Sequence, residues 1–366
     1  MGGKMNPTAL LHRAGQSLWL DNITRDLLTS GRLQHYIDDL SVTGLTSNPT
    51  IYDKAIGGSS SYDDAIREGA ARGLGPEEIF FALALDDLGR AADLFRPVHE
   101  RTGGVDGFVS LEVSPLLAYD TAATTAEAAR LKAAAGRPNL FIKIPGTPEG
   151  LPAIEDSIAA GVPVNVTLLF SPEQYLAQAE AYTRAIERRV EAGLPAHVNS
   201  VASVFVSRWD TAIAGRVPDD LANRLGVAIG RKAYAEYRRF FASDRWQRLL
   251  NVGARPQRLL FASTGTKDPR ASDVLYVEGL AAPHTVNTMP EETLLAFADH
   301  GRVGELLPAD PRVADAALAD FVAVGVDVAG LGVELQQKGA AAFVASWNSL
   351  VGRIADKVGQ VAPAAR

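Results

Sequence analysis

Two periods alternate along the chain. Short runs with apolar residues on one or both alternating sides predict β-strands at "SLWLD" (17–21), "TGLTSNP" (43–49), "GFVSLEVSP" (107–115), "NLFIKIPG" (139–146), "VPVNVTLLF" (162–170), "VASVFVS" (201–207), "RLLFASTG" (258–265) and "HTVNTMP" (284–290). Runs with the 3.6-residue period of a helix fall between several of them, at 75–95, 124–136, 171–193 and 219–243. Ser171 followed by Pro172 marks a helix start, a hydroxyl cap ahead of a residue that needs no N–H there. Strands alternating with helices form a mainly parallel sheet covered by helices. The eight repeats predict a closed (β/α)₈ barrel over a doubly wound sheet. No GxGxxG turn follows the first strand, and polar residues gather at the C-terminal strand ends, the functional face of a barrel. Past residue 290 the helical pattern continues, predicting the eighth helix and a C-terminal extension. No linker or low-complexity tract divides residues 1–366, so one barrel domain is expected, with its last ~50 residues as helices packed on it.

Side chains on a strand alternate between its two sides, so each predicted strand has a helix-facing side and an axis-facing side. In "NLFIKIPG", Leu140, Ile142 and Ile144 share the apolar side, which leaves Lys143 with Phe141 toward the axis. The same sorting turns Asn165 and Thr167 inward against Val164, Val166 and Leu168, and Ser110, Glu112 and Ser114 inward against Leu111 and Val113. Asp21 shares its side with Ser17 and Trp19, Asn48 with Thr46, and Ser207 with Ser203 and Phe205. A lone lysine in an apolar run reads as well as a snorkelling or salt-bridged residue. Several polar inner sides converging on one end of a barrel imply a water-accessible pocket, because buried polar groups must find partners. A lysine enclosed there resists its charge, and the neutral amine is a nucleophile. The residues alone point to a Schiff-base or acid/base enzyme on a barrel.

Composition narrows the choice. A chain of 366 residues with 47% hydrophobic residues can enclose a barrel-sized core. Its net charge of −7, with no basic stripe, gives no expectation of nucleic-acid binding. The absence of cysteine excludes disulfides, thiol nucleophiles and cysteine-ligated metals. The six histidines show no ligand spacing, so no metal is expected. No apolar run reaches the roughly 18–20 residues of a membrane span, and no signal-peptide pattern opens the chain; a cytoplasmic protein without a membrane partner is expected.

The motifs "TGLTSNPT", "SLEVSP", "NLFIKIPGTPEG" and "NVTLLFSPEQY", in that order and spacing, resemble the transaldolase family, in its actinobacterial-type branch. The resemblance runs from "LWLDN" to "GLGVELQQKGAAAFVASWNSLV". It implies a class I aldolase-type (β/α)₈ (TIM) barrel, using neither cofactor nor metal, that moves a dihydroxyacetone unit between sugar phosphates. Sedoheptulose 7-phosphate and glyceraldehyde 3-phosphate would exchange for erythrose 4-phosphate and fructose 6-phosphate. By the same resemblance Lys143 is the Schiff-base lysine, and Asp21 handles the hydroxyl proton as the carbon–carbon bond breaks. Glu112 and Thr167 hold the water of imine formation and hydrolysis; Asn48 orients the three-carbon unit, and Ser207 is the serine after strand six.

The phosphate end departs from the family pattern. Where many members read "SPFVGR", with an arginine several residues past the serine, this chain reads "VSRWDTAIAG", with Arg208 directly after Ser207. Arg208 is the expected phosphate ligand, and Ser263, Thr264 and Lys267 of "STGTK" are further candidates. Thr46 and Asn165 complete the expected substrate-binding set, and a monomer or homodimer is expected.

Overall fold

The computed structural model describes residues 6–361. Its centre is a closed barrel of eight parallel strands in sequence order. They are β1 (Gln16–Leu20), β2 (Val42–Leu45), β3 (Val109–Glu112), β4 (Leu140–Pro145), β5 (Val164–Leu169), β6 (Ser200–Phe205), β7 (Arg258–Ala262) and β8 (Thr285–Met289). β1 closes on β8 in register from Gln16↔Thr285 to Leu20↔Met289. Each expected strand is present. β2 and β3 are shorter than their motifs because "TSNP" leaves the sheet to cap the helix Pro49–Gly58, and Pro115 starts a 3-10 turn.

The two-sided sorting of the strands appears as two hydrophobic bodies. Leu18, Leu20, Leu111, Ile142, Val166, Val204 and Phe261 pack outward against the helices. Trp19, Phe108, Phe141, Val201, Leu260 and Val286 pack inward. Phe108 and Phe141 stack with ring centroids 4.1 Å apart, and Trp19 lies 6.1 Å from Phe141. This aromatic plug fills the lower half of the barrel, each ring contributing about 1.5–3 kcal/mol by burial. Gly44 of β2 is required beside it, since a Cβ there would fall 2.7 Å from the Trp19 indole. Beyond this plug, toward the C-terminal ends, the inner side carries Glu112, Lys143 and Thr167.

Two expectations need correction. The pattern 219–243 does not form one helix: a 3-10 turn (Asp219–Leu221) and Asn223, at φ +62°, precede the helix Leu225–Phe241. Two carboxylate oxygens of buried Asp210 accept the Leu225 and Gly226 N–H groups and so set the later start. Leu168 does not share the outer side with Val164 and Val166. It takes φ +60° at a register shift between β5 and β6, which turns its side chain into the inner body.

The helix Glu291–His300 follows β8 and is the eighth of the repeat. The C-terminal helix Val328–Val361 packs on the barrel's functional face, with Trp347 against Phe80 and Phe81 and Arg353 paired to Asp53 at 2.8 Å. Among the described residues no single helix is long and apolar enough to cross a membrane.

Candidate active site

The C-terminal end of the barrel opens into a cavity of about 490 Å³ lined by Asp21, Thr46, Asn48, Lys143, Thr167, Ser207, Arg208, Ser263 and Lys267. Parallel pairing builds its centre: Glu112 sits opposite Lys143 on β3 and β4, and Thr167 opposite Pro145 on β4 and β5. Lys143, only 4% exposed, donates to the Ser47 carbonyl at 3.0 Å and to Glu112 Oε2 at 3.3 Å. Burial raises the Glu112 carboxyl above its ordinary value, against the pull of Lys143. Three oxygens of β3 and β5 and their ends are buried with no partner among the described residues: Glu112 Oε1, Ser114 Oγ and Thr167 Oγ1. Unsatisfied buried groups of this kind are uncommon, and Glu112 and Thr167 flank the lysine's strand.

Asp21 stands one residue past β1. Its Oδ1 accepts from Thr46 Oγ1 at 2.7 Å, and Thr46 in turn meets Thr288 Oγ1 at 2.7 Å. Burial raises the Asp21 carboxyl; the Lys143 charge, the Thr46 hydrogen bond, Arg208 and Lys267 oppose it. Asn48 caps the helix Pro49–Gly58 by accepting the Ile51 N–H at 3.1 Å, which leaves its amide donors available at the cavity wall.

At the rim, Ser207 and Ser263 meet through their hydroxyls at 2.8 Å. The Arg208 guanidinium lies 5.1 Å from the centroid of Phe205 and about 6 Å from Phe170 and Phe343. No carboxylate among the described residues comes within 4 Å of it. Burial lowers its proton affinity, with the Asp21 charge acting the other way. Lys267 joins the same cavity.

Two expected residues fall elsewhere, and Trp19, on the side of β1 that Asp21 continues, does not reach the cavity. Asn165 is fully buried and does not line the cavity. Its amide spans Ser110 Oγ (3.1 Å) and Ser203 Oγ (2.7 Å), tying β3, β5 and β6 together. The hydroxyl of Thr264 is committed to the Thr288 carbonyl at 2.9 Å. Trp19 lies in the aromatic plug with Nε1 donating to Asp106 at 2.8 Å. Among the cavity residues that went unread in the sequence are Thr50, Lys54, Thr288 and Phe343. Thr288 shares the alternating side with Val286, and Lys54 lies one helical turn after Thr50, so both carried a readable signal. Phe343 arrives on a distant helix, and no local pattern marks it.

The sequence model described as "Transaldolase/Fructose-6-phosphate aldolase" matches residues 18–354. The chain belongs to this family. A transaldolase of Parafrankia sp. is 44% identical over 97% of this chain and 99% of its own length. The transaldolase of Thermobifida fusca is 45% identical over 96% and 98%, and that of Mycobacterium bovis 45% over 94% and 96%. These relatives agree with the actinobacterial-type branch and with an enzyme of the transaldolase type. Within that family frame, Arg208 reaches the rim of the same cavity as Lys143 despite its altered motif, because Ser207 opens a short helix, Ser207–Ile213, directly at the end of β6.

Proposed function

We propose that the chain transfers a dihydroxyacetone unit from sedoheptulose 7-phosphate to glyceraldehyde 3-phosphate through an imine on Lys143. The observation that carries this reading is the Lys143 amine held between the Ser47 carbonyl and Glu112, inside a cavity that also holds Asp21. The neutral amine adds to the ketose C2 carbonyl, with Glu112 as the group that takes and returns its proton. The carbinolamine loses water between Glu112 and Thr167, whose unpartnered oxygens suit that place. Asp21 takes the C4 hydroxyl proton as the C3–C4 bond breaks and the electron pair moves into the protonated imine, giving an enamine and free erythrose 4-phosphate. The enamine attacks the aldehyde of glyceraldehyde 3-phosphate, Asp21 returns the proton, and hydrolysis frees fructose 6-phosphate. Asn48 orients the three-carbon unit, while Arg208, Lys267, Ser207 and Ser263 meet the phosphate by charge and hydrogen bonding. Thr46 keeps the Asp21 carboxylate aimed.

Incubation with fructose 6-phosphate and borohydride should leave a reduced three-carbon adduct on the peptide containing Lys143. Lys143→Ala should abolish the adduct with the far-UV spectrum unchanged, and an adduct on another lysine would overturn the assignment. An assay with and without erythrose 4-phosphate separates transfer from release of dihydroxyacetone: turnover should depend on the acceptor aldose.

A further inference from the structure

A second cavity, of about 630 Å³, opens on the opposite, N-terminal face of the barrel. It is larger than the catalytic cavity and takes its walls from the first residues of β1, β6 and β7. Phe141, two residues before Lys143, lines it from within, so the aromatic plug separates the two cavities. Its charge is unbalanced. Three arginines line it, Arg238, Arg255 and Arg258, against one carboxylate, Asp106. Asp106 is already engaged: it accepts from the Ser17 hydroxyl, from Trp19 Nε1 at 2.8 Å and from the Gly107 N–H at 3.0 Å, with Arg258 at 3.8 Å as its counter-charge. Arg238 and Arg255 have no carboxylate within 4 Å among the described residues. Arg238 gives one N–H to the Tyr234 hydroxyl (3.0 Å) and Arg255 one to the Gly103 carbonyl (2.9 Å). A guanidinium has five donors, so most remain for a ligand. Two uncompensated cations share this concavity in a protein of net charge −7. The same lining includes the apolar side chains of Phe241, Ala242, Val201 and Phe141.

We propose that this cavity binds a small organic anion, its charged head on Arg238 and Arg255 and its apolar body against Phe241 and Phe141. The volume falls in the range of small-molecule sites, and apolar walls with a few convergent polar groups are their usual construction. Forked arginine donors suit phosphate, carboxylate and sulfonate heads. The site is independent of the catalytic cavity.

Titration of the full-length chain with the aromatic sulfonate 1-anilinonaphthalene-8-sulfonate, followed by fluorescence, tests this. One saturable site is expected, weakened roughly tenfold or more by the pair Arg238→Ala and Arg255→Ala, since each removes a charge-assisted contact. Ala242→Trp should block the dye by filling the cavity, and saturating fructose 6-phosphate should leave it bound. Phenyl phosphate and benzoate as competitors tell a phosphate head from a carboxylate head. Circular dichroism and unchanged basal transfer activity show that the variants are folded. Absence of saturation, undiminished binding in the folded double variant, or displacement by fructose 6-phosphate would each overturn the proposal.

Discussion

Gln336 offers the sharpest test of how the C-terminal helix serves the site. Its side chain is buried, and Nε2 donates both to the Gly146 carbonyl at 2.9 Å and to the Leu168 carbonyl at 3.0 Å. Those carbonyls lie at the ends of β4 and β5, and Gly146 N–H also bonds the Thr167 carbonyl at 2.7 Å. Leu168 holds φ +60°, a conformation that disfavours a residue with a Cβ by roughly 1–2 kcal/mol. Gln336→Met keeps the volume and removes both bonds, leaving two buried carbonyls without this donor. Each such loss costs about 1–3 kcal/mol, so a combined loss of about 2–3 kcal/mol is expected once neighbours relax. At roughly 2.1 cal/mol/K of unfolding entropy per residue, a chain of 366 residues has about 0.8 kcal/mol/K. The expected fall in Tm is therefore about 2.5–4 °C by calorimetry. Release of Leu168 also frees Thr167, and a displacement near 1 Å at a reacting centre can cost about 100-fold. The rate of borohydride trapping should fall about 10- to 100-fold with KM for fructose 6-phosphate little changed. A variant with unaltered Tm and unaltered trapping rate would refute the idea that this helix pins the strand ends.

Thr167→Val should behave oppositely on stability. The hydroxyl is buried without a partner, so its removal should leave Tm unchanged or slightly higher while imine formation, followed by trapping, slows about tenfold; a clear loss of Tm would show that the hydroxyl is structurally engaged. Asp21→Asn should lower turnover roughly 10²- to 10⁴-fold by removing the proton acceptor, and near-normal turnover would assign the proton elsewhere. The same variant carries a pH signature. Burial raises the folded-state Asp21 carboxyl above its ordinary value of 3.8, so the folded state binds the proton more tightly than the unfolded chain. Native stability from this group is then greatest at pH below 3.8 and is lost as pH rises through the folded value. Asp21→Asn should thus raise Tm at pH 8, with the gain shrinking as pH falls toward 4; a pH-independent difference would contradict it. Arg208→Ala should weaken fructose 6-phosphate strongly and unphosphorylated fructose little. Equal losses on both would make the residue structural, and no loss on either would move the phosphate contact to Lys267 or Lys54.

The alternation in "NLFIKIPG" was enough to turn Lys143 toward the axis, because a strand has only two sides and one of them is wholly apolar. The same rule placed Glu112, Thr167 and Asp21, and eight such strands between helices left closure as the simplest way to cover every edge. Where the backbone leaves the ideal strand, periodicity stops informing. Leu168 changes sides at a positive φ, which no alternating pattern announces, and Asn165 spends its amide on Ser110 and Ser203, partners more than 30 residues away in either direction. Phe343 and Gln336 reach the site from a helix that begins at Val328, after all eight strands have closed. The unbalanced arginines of the N-terminal cavity come from separate segments, and their charge has meaning only once Asp106 is seen to be engaged by Ser17 and Trp19. Local sequence determines which side of its own element a residue occupies; which distant groups meet it there depends on long-range packing, and that is set only when the whole chain has folded.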